Sequence, residues 1–357
     1  MTIRLGSSTE IVGRADPIGR DAPDAVLAPD GKLLRCHVFL AGERVLAPEN
    51  LADLSEVLKQ EHVFVWLDVV DPAPEDLALL QEEFDLHPLA IEDAVQAHER
   101  PKIEAYGSYW FIVAQGVTMG QDEQLRFHEM AVFAGQKFVA TVRHTPAYPL
   151  DEIERRWLGN RPHLRHDSGF LLYTILDTVV DGYLLVTRSI EDRVGRLEEA
   201  LFKRQPLEDE VLLRIFDMKR NLQEFRGAAL PMRDILNPII RGDLTLFPGD
   251  EVAYYRDVYD HAVRVIDQLD AARDLTSSAL DVHAAFLANQ QGEVSKRLTI
   301  VATIFLPLTF VTGFFGQNFG WLISHITGDA SFWFLGLGGE ILAVAALLVY
   351  FKRKGWF

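Results

Sequence analysis

Apolar residues follow three different patterns along this chain, and each pattern occupies its own stretch. From Leu33 to Arg161 short strand-like runs, LLRCHVFL (33–40), VFVWLDV (63–69), YWFIVAQGV (109–117), RFHEMAVFA (126–134) and KFVATVRH (137–144), alternate with helical spacing near 50–60, 74–84 and 88–97. Pro72 and Pro74 ahead of Glu75 and Asp76 mark a helix start. Residues 33–161 therefore read as an α/β domain. From 162 to 248 the spacing becomes that of two long helices, 167–203 and 207–236, which end before Pro206 and Pro238 and fold back as an antiparallel hairpin. Glu198, Glu199, Glu208, Asp209 and Glu210 at its tip read as a solvated face. Residues 1–32, rich in Gly, Asp, Arg and Pro, are expected to be a poorly ordered arm.

The third pattern is continuous. After Phe247-Pro248-Gly249-Asp250 no strong helix stop occurs before Gly313 or Gly316, so 249–316 reads as one helix of about 65 residues and roughly 100 Å. Between Arg297 and Asp329 there is no Asp, Glu, Lys or Arg, and about 298–316 is long enough to cross a bilayer as a helix. Pro307 inside this span is expected to bend it. A second apolar run, 331–351, leads to the basic tail 352–357 with Lys352, Arg353 and Lys354. Basic residues flank the hairpin on one side only (Lys296 and Arg297 before it), so both termini are expected in the cytoplasm and only the loop 317–330 outside. The start MTIRLGSSTE lacks the apolar core of a signal peptide, which leaves the N-terminal part inside. The expectation is a two-span protein of the inner or plasma membrane.

Composition changes this picture little. With 48% hydrophobic and 24% charged residues, the 357-residue average hides two short spans inside a charged remainder. The formal net charge of −17 disfavours nucleic acid as a partner and suits a protein that handles cations. Cys36 is the single cysteine, so neither an internal disulfide nor a cysteine zinc cage can form. No Walker loop, HExxH, CxxC or GxSxG occurs, the histidines lack ligand spacing, and Gly336, Gly338 and Gly339 read as packing residues of the second span. Neither enzymatic activity nor a cofactor is expected.

Two constellations remain. Along one face of the long helix lie Asp281, Ala285, Ala288, Gly292, Ser295, Thr299, Ala302, Leu306, Thr309, Gly313 and Gly316, nearly all small or hydroxylic. Such a stripe serves close helix packing or walls a wet path in a ring of helices. At its outer end stands Gly316-Gln317-Asn318. Its side-chain amides offer neutral oxygens to a cation at the helix end. A plain helix cap is the other reading of the triplet.

FLPLTFVTGFFGQNF, the second span and the terminal YFKRKGWF together resemble the CorA family of divalent-cation channels, marked by Gly-Met-Asn at the outer end of the first span; FDLHPLAIEDAVQAHERPKIEAY (84–106) is similar to that family's cytoplasmic domain. The resemblance implies a pentameric funnel: an α/β cytoplasmic domain, a long helical stalk and a C-terminal two-helix transmembrane hairpin. It further implies that the small-residue stripe lines the pore, that Asp281 forms an acidic ring and that Leu298 is a constriction. Glu92, Asp93 and Asp257 fall where the family binds a regulatory divalent ion between subunits, with Asp177 and Asp181 as weaker candidates. The implied partners are copies of the same chain, the bilayer and divalent cations, with Mg2+ as first-choice cargo. Two positions depart from the pattern: Gln317 replaces Met, and Gly292 replaces an Asn before Glu293. They keep open Zn2+, Co2+ or Ni2+ as cargo, with or without proton coupling. A membrane-tethered scaffold is the rival from another class. Glu340, midway along the second span, is a functional candidate by its depth, and packing against the first span is its plainer reading.

Overall fold

The computed structural model describes residues 25–27, 33–45, 47–48, 51–96, 100–145, 148, 150–159, 167–202, 209–242, 251–317, 319–326 and 328–356. Eight strands, β1 Ala25–Leu27, β2 Leu33–Leu40, β3 Glu43–Val45, β4 Val63–Val70, β5 Lys102–Ala105, β6 Tyr109–Met119, β7 Leu125–Gly135 and β8 Phe138–Arg143, form one sheet in the order β1-β2-β4-β8-β7-β6-β5, with β3 added to β2. The β4–β8 pair is parallel, from Val65↔Phe138 to Val70↔Arg143, and the other pairs among the described residues are antiparallel.

Alternation along the strands feeds two apolar layers. Phe64 and Trp66 of β4, with Trp110, Ile112 and Ala114 of β6, face a layer built from α4 (Leu150–Leu158), α5 (Ser168–Phe202), α6 (Asp209–Arg241) and the first part of α7 (Val252–Phe315). Val65 and Leu67, with Phe111 and Val113, face α1 (Leu54–Leu58), α2 (Pro74–Phe84) and α3 (Pro88–Val95) on the other side. The parallel pair at the sheet's centre is tied by a buried ion pair. Arg143 donates from Nε and Nη2 to both carboxylate oxygens of Asp68 at 3.0 and 2.6 Å, and Thr141 Oγ1 donates to the same carboxylate at 2.6 Å.

The chain divides into two compact units, one made of Met1–Ala200 with Asp209–Ser277 and the other of Leu201–Glu208 with Ser278–Phe357. Beyond α7 the second unit holds α8, Gly320–His325, and α9, Asp329–Arg353, in which Phe332–Leu337 are π-helical. Among the described residues three helices are long and apolar enough to cross a bilayer: α5, α7 and α9. They separate by burial. The apolar window of α5 is 67% buried, whereas those of α7 and α9 are 6% and 0% buried. α5 turns its apolar face into the core of the first unit; the other two present bare apolar surface, with Phe310 and Leu342 exposed at 72% and 74%. Water does not tolerate a patch of that extent on a stable monomer.

Several expectations need correction. α6 does not stop before Pro238 but continues through Pro231 and Pro238 to Arg241. Its stop signal is Gly242, whose φ of +71° turns the chain out of the helix as its N–H bonds the Ile239 carbonyl. Burial of Met232, Ile235, Leu236 and Ile239 holds the helix together across the prolines. In the arm expected to be without order, Ala25–Leu27 pair with β2. The loop expected outside contains α8, and the helix that carries the second apolar run begins at Asp329, two residues earlier than that run suggests. The helix start at 247–250 and Glu208 at the hairpin tip lie outside the described residues.

Candidate functional site

The stripe on α7 is described from Asp281 to Gly316. Asp281, Gly292, Ser295, Leu298, Thr299, Ala302, Leu306, Thr309 and Gly313 are all exposed or half-buried in the single chain, and a Cβ added at Gly292 or Gly313 would meet nothing within 4 Å. The hydroxyls do not wait for water. Thr299 donates to Ser295 O at 2.9 Å and Thr309 to Phe305 O at 2.8 Å, each a bond back to the preceding turn. Each hydroxyl donor is thereby satisfied by the helix's own backbone.

α7 ends at Phe315 by a tightened turn: the Gly316 amide donates to Thr312 O at 2.9 Å and the Gln317 amide to Phe314 O at 3.3 Å. A Cβ at Gly316 would stand 3.0 Å from the Thr312 carbonyl, so glycine is what lets the chain close this turn. Gln317 is exposed; Asn318 lies outside the described residues. Glu340 meets the first span directly, with the Thr312 hydroxyl donating to its Oε1 at 2.8 Å.

The carboxylates of the first unit fall into two sets. On α3, whose first turn is capped by His87 Nδ1 accepting from the Leu89 amide, Glu92 is exposed and bonded by Gln96, and Asp93 pairs with Lys102 Nζ at 2.6 Å. On α5, Asp177 and Asp181 lie one turn apart and share Arg156 Nη1, at 3.2 and 2.8 Å, while Arg156 Nε donates to Glu152. Burial pushes the Asp177 carboxyl up to about 6; Asp181 and Asp257 push the same way, while Arg156 and His261 oppose them. Asp257 of α7 therefore belongs electrostatically with Asp177, a grouping the sequence does not reveal. Asp257 itself is exposed, with its carboxylate 3.9 Å from His261 Nδ1.

Among the described residues no three His, Cys, Asp or Glu side chains of one chain come together as a metal site. Of the carboxylates named, Glu92 and Asp257 lie on the surface and Asp93 is paired with Lys102. Arg156 is the site residue missed by sequence reading. It sits on α4, whose short pattern Leu150, Ile153 and Trp157 faces the core and leaves Glu152 and Arg156 at an open cavity of about 490 Å³.

A family model described as CorA-like Mg2+ transporter protein matches residues 61–353. The chain is 34% identical, over 77% of its length and 78% of the relative's, to the cobalt/magnesium transport protein CorA of Thermotoga maritima. It is 24% identical, over 71% of its length and 77% of the relative's, to the zinc transport protein ZntB of Yersinia enterocolitica. Its fold is similar to the CorA magnesium transporter of Methanocaldococcus jannaschii, with a TM-score of 0.73 at 20% identity over 90% of this chain and 98% of that one.

Proposed function

We propose, from the premise that the chain belongs to the CorA family, that it passes Mg2+ into the cytoplasm through a ring of five copies. The chain is a divalent-cation transporter of the CorA type. The observation that carries the finer reading is the second unit's construction: two bare apolar helices, the first with a small, hydroxylic stripe running up to the glycine turn at Gly316-Gln317.

In this reading the α7 stripes of neighbouring copies face one another, with Asp281 gathering cations at the inner end and Leu298 forming a constriction that dewets when closed. At the outer end Asn318 amides hold the ion through its water, so no full dehydration is required before entry. The membrane potential drives the passage: about 2.3 kcal/mol per charge per 100 mV, twice that for a divalent ion. ATP has no role. On the cytoplasmic side, Glu92, Asp93 and Asp257 would hold a regulatory divalent ion between copies, with Asp177 and Asp181 beside them. A bound ion relieves the repulsion between carboxylates and favours the closed ring; its loss loosens the ring.

Transport of Zn2+, with or without protons, is the second reading. Gln317 in place of Met and Gly292 in place of Asn favour it, since both sit on the path. Purified protein in proteoliposomes under an inside-negative potential separates the readings. Mg2+ influx that falls at least tenfold in Asn318→Ala supports the proposal. Zn2+ influx that responds to a proton gradient while Mg2+ does not enter favours the second reading, and no influx of either ion overturns both.

A further inference from the structure

Glu340 is the one charged residue of α9 between Asp329 and Lys352, and no Asp, Glu, Lys, Arg or His lies between Arg297 and His325 on the facing stretch of chain. Its partner in the apolar layer is a hydroxyl. Thr312 Oγ1 stands 2.8 Å from Glu340 Oε1 and 2.7 Å from Leu308 O, so the two acceptors share its hydrogen. The backbone carbonyl of the same Thr312 accepts from the Gly316 amide at 2.9 Å. A single residue therefore links the carboxyl on the second span to the first residue of Gly316-Gln317-Asn318.

The sequence around Glu340 is shaped for this contact. The π-helical segment Phe332–Leu337 ends three residues before it, and the wider turn rotates the remainder of α9 relative to an unbroken α-helix. Gly338 accommodates that turn, because a Cβ there would stand 3.0 Å from the Trp333 carbonyl. A polar group left unpaired in hydrocarbon costs several kcal/mol, so the contact is held once made.

We propose that Glu340 is a positioning residue for ion selection: acting through Thr312, it fixes the last turn of α7 and hence the aim of the outer mouth. The proposal rests on the reading of Gly316 to Asn318 as the ion-selecting mouth. Its measure is the ratio of Mg2+ to Co2+ influx in proteoliposomes, not the influx itself. Glu340→Ala and Thr312→Val are each expected to shift that ratio about threefold, the equivalent of one interhelical hydrogen bond of about 0.6 kcal/mol. The double variant is expected to shift it no further than either single one. Glu340→Gln, whose amide oxygen accepts the same bond, is expected to keep the ratio, as is Thr312→Ser.

A merely structural role would lower the amount of assembled protein or both influxes together and leave the ratio alone. An unchanged ratio in Thr312→Val, or in Glu340→Ala where it assembles, while Asn318→Ala alters the ratio, overturns this inference and spares the mouth. Shifts that add in the double variant, or a Glu340→Gln that behaves like Glu340→Ala, overturn it as well. If Asn318→Ala leaves the ratio untouched, the mouth reading falls and the inference with it.

Discussion

Asp68 and Arg143 are among the most deeply placed charges of the described chain, with side chains 1% and 3% exposed. Two charges out of water are tolerable because the geometry is bidentate and Thr141 and the Tyr148 carbonyl take up the remaining bonds. Removing one partner strands the other. Asp68→Ala is expected to cost about 3–5 kcal/mol in denaturant unfolding, with much of that recovered when Arg143 is replaced by Met in the same chain. Asp177 is a carboxyl in the opposite position: burial, and next Asp181, push it up to about 6 from the usual carboxylate range. Between about pH 4 and 6 the folded chain therefore holds more proton at this group than the unfolded chain. Its contribution to stability is present at the acid end and is lost as the pH rises through that window. Asp177→Asn should flatten the thermal-midpoint profile between pH 4 and 6; an unaltered slope would assign the titration elsewhere.

At the scale of elements, the stripe on α7 is open to a direct test, because the native thiol does not interfere. Cys36 is buried, and burial pushes its pKa to about 12, so it is inert to water-borne reagents. Cysteines introduced at Thr299, Ala302, Leu306 and Thr309 are expected to react with a hydrophilic thiol reagent in the assembled protein and to be slowed by divalent cation, whereas Phe305→Cys and Phe310→Cys stay unlabelled. Reaction all round the helix would remove the ring. The elements most legible in the sequence are those long enough for periodicity to accumulate: β4, β6 and β7 among the strands, α2 with its leading proline, and α7. The short ones are not. β3 and β5 have three and four residues and little alternation, and α4 displays its pattern over only nine. Proline also misleads at the end of α6, because packing of the buried face outweighs two missing amide donors. Of the candidate site, the stripe is readable from spacing on one helix, and Gly316-Gln317-Asn318 only from its resemblance to a family motif. Arg156 beside Asp177 and Asp181, and Thr312 beside Glu340, are not, since each joins elements far apart in sequence.

The whole molecule joins a highly charged first unit to a nearly chargeless pair of apolar helices, and its regulation, on the proposed function, depends on copies meeting through their acids. Asp93 already has Lys102 as partner, so a divalent ion has to displace an internal cation before it can bridge copies. Asp93→Ala and Asp257→Ala are therefore expected to raise Mg2+ influx measured at millimolar internal Mg2+, and unchanged inhibition in both would remove them from the sensor. α7 also has a consequence for how the chain is made. Tyr255, Val258, Val265 and Leu269 complete the apolar layer shared with α4, α5 and α6, yet they are translated after every other element of that layer. The first unit thus cannot close its core until the ribosome has reached α7, and throughout that delay the nascent polypeptide carries an open oily flank of the kind that invites aggregation.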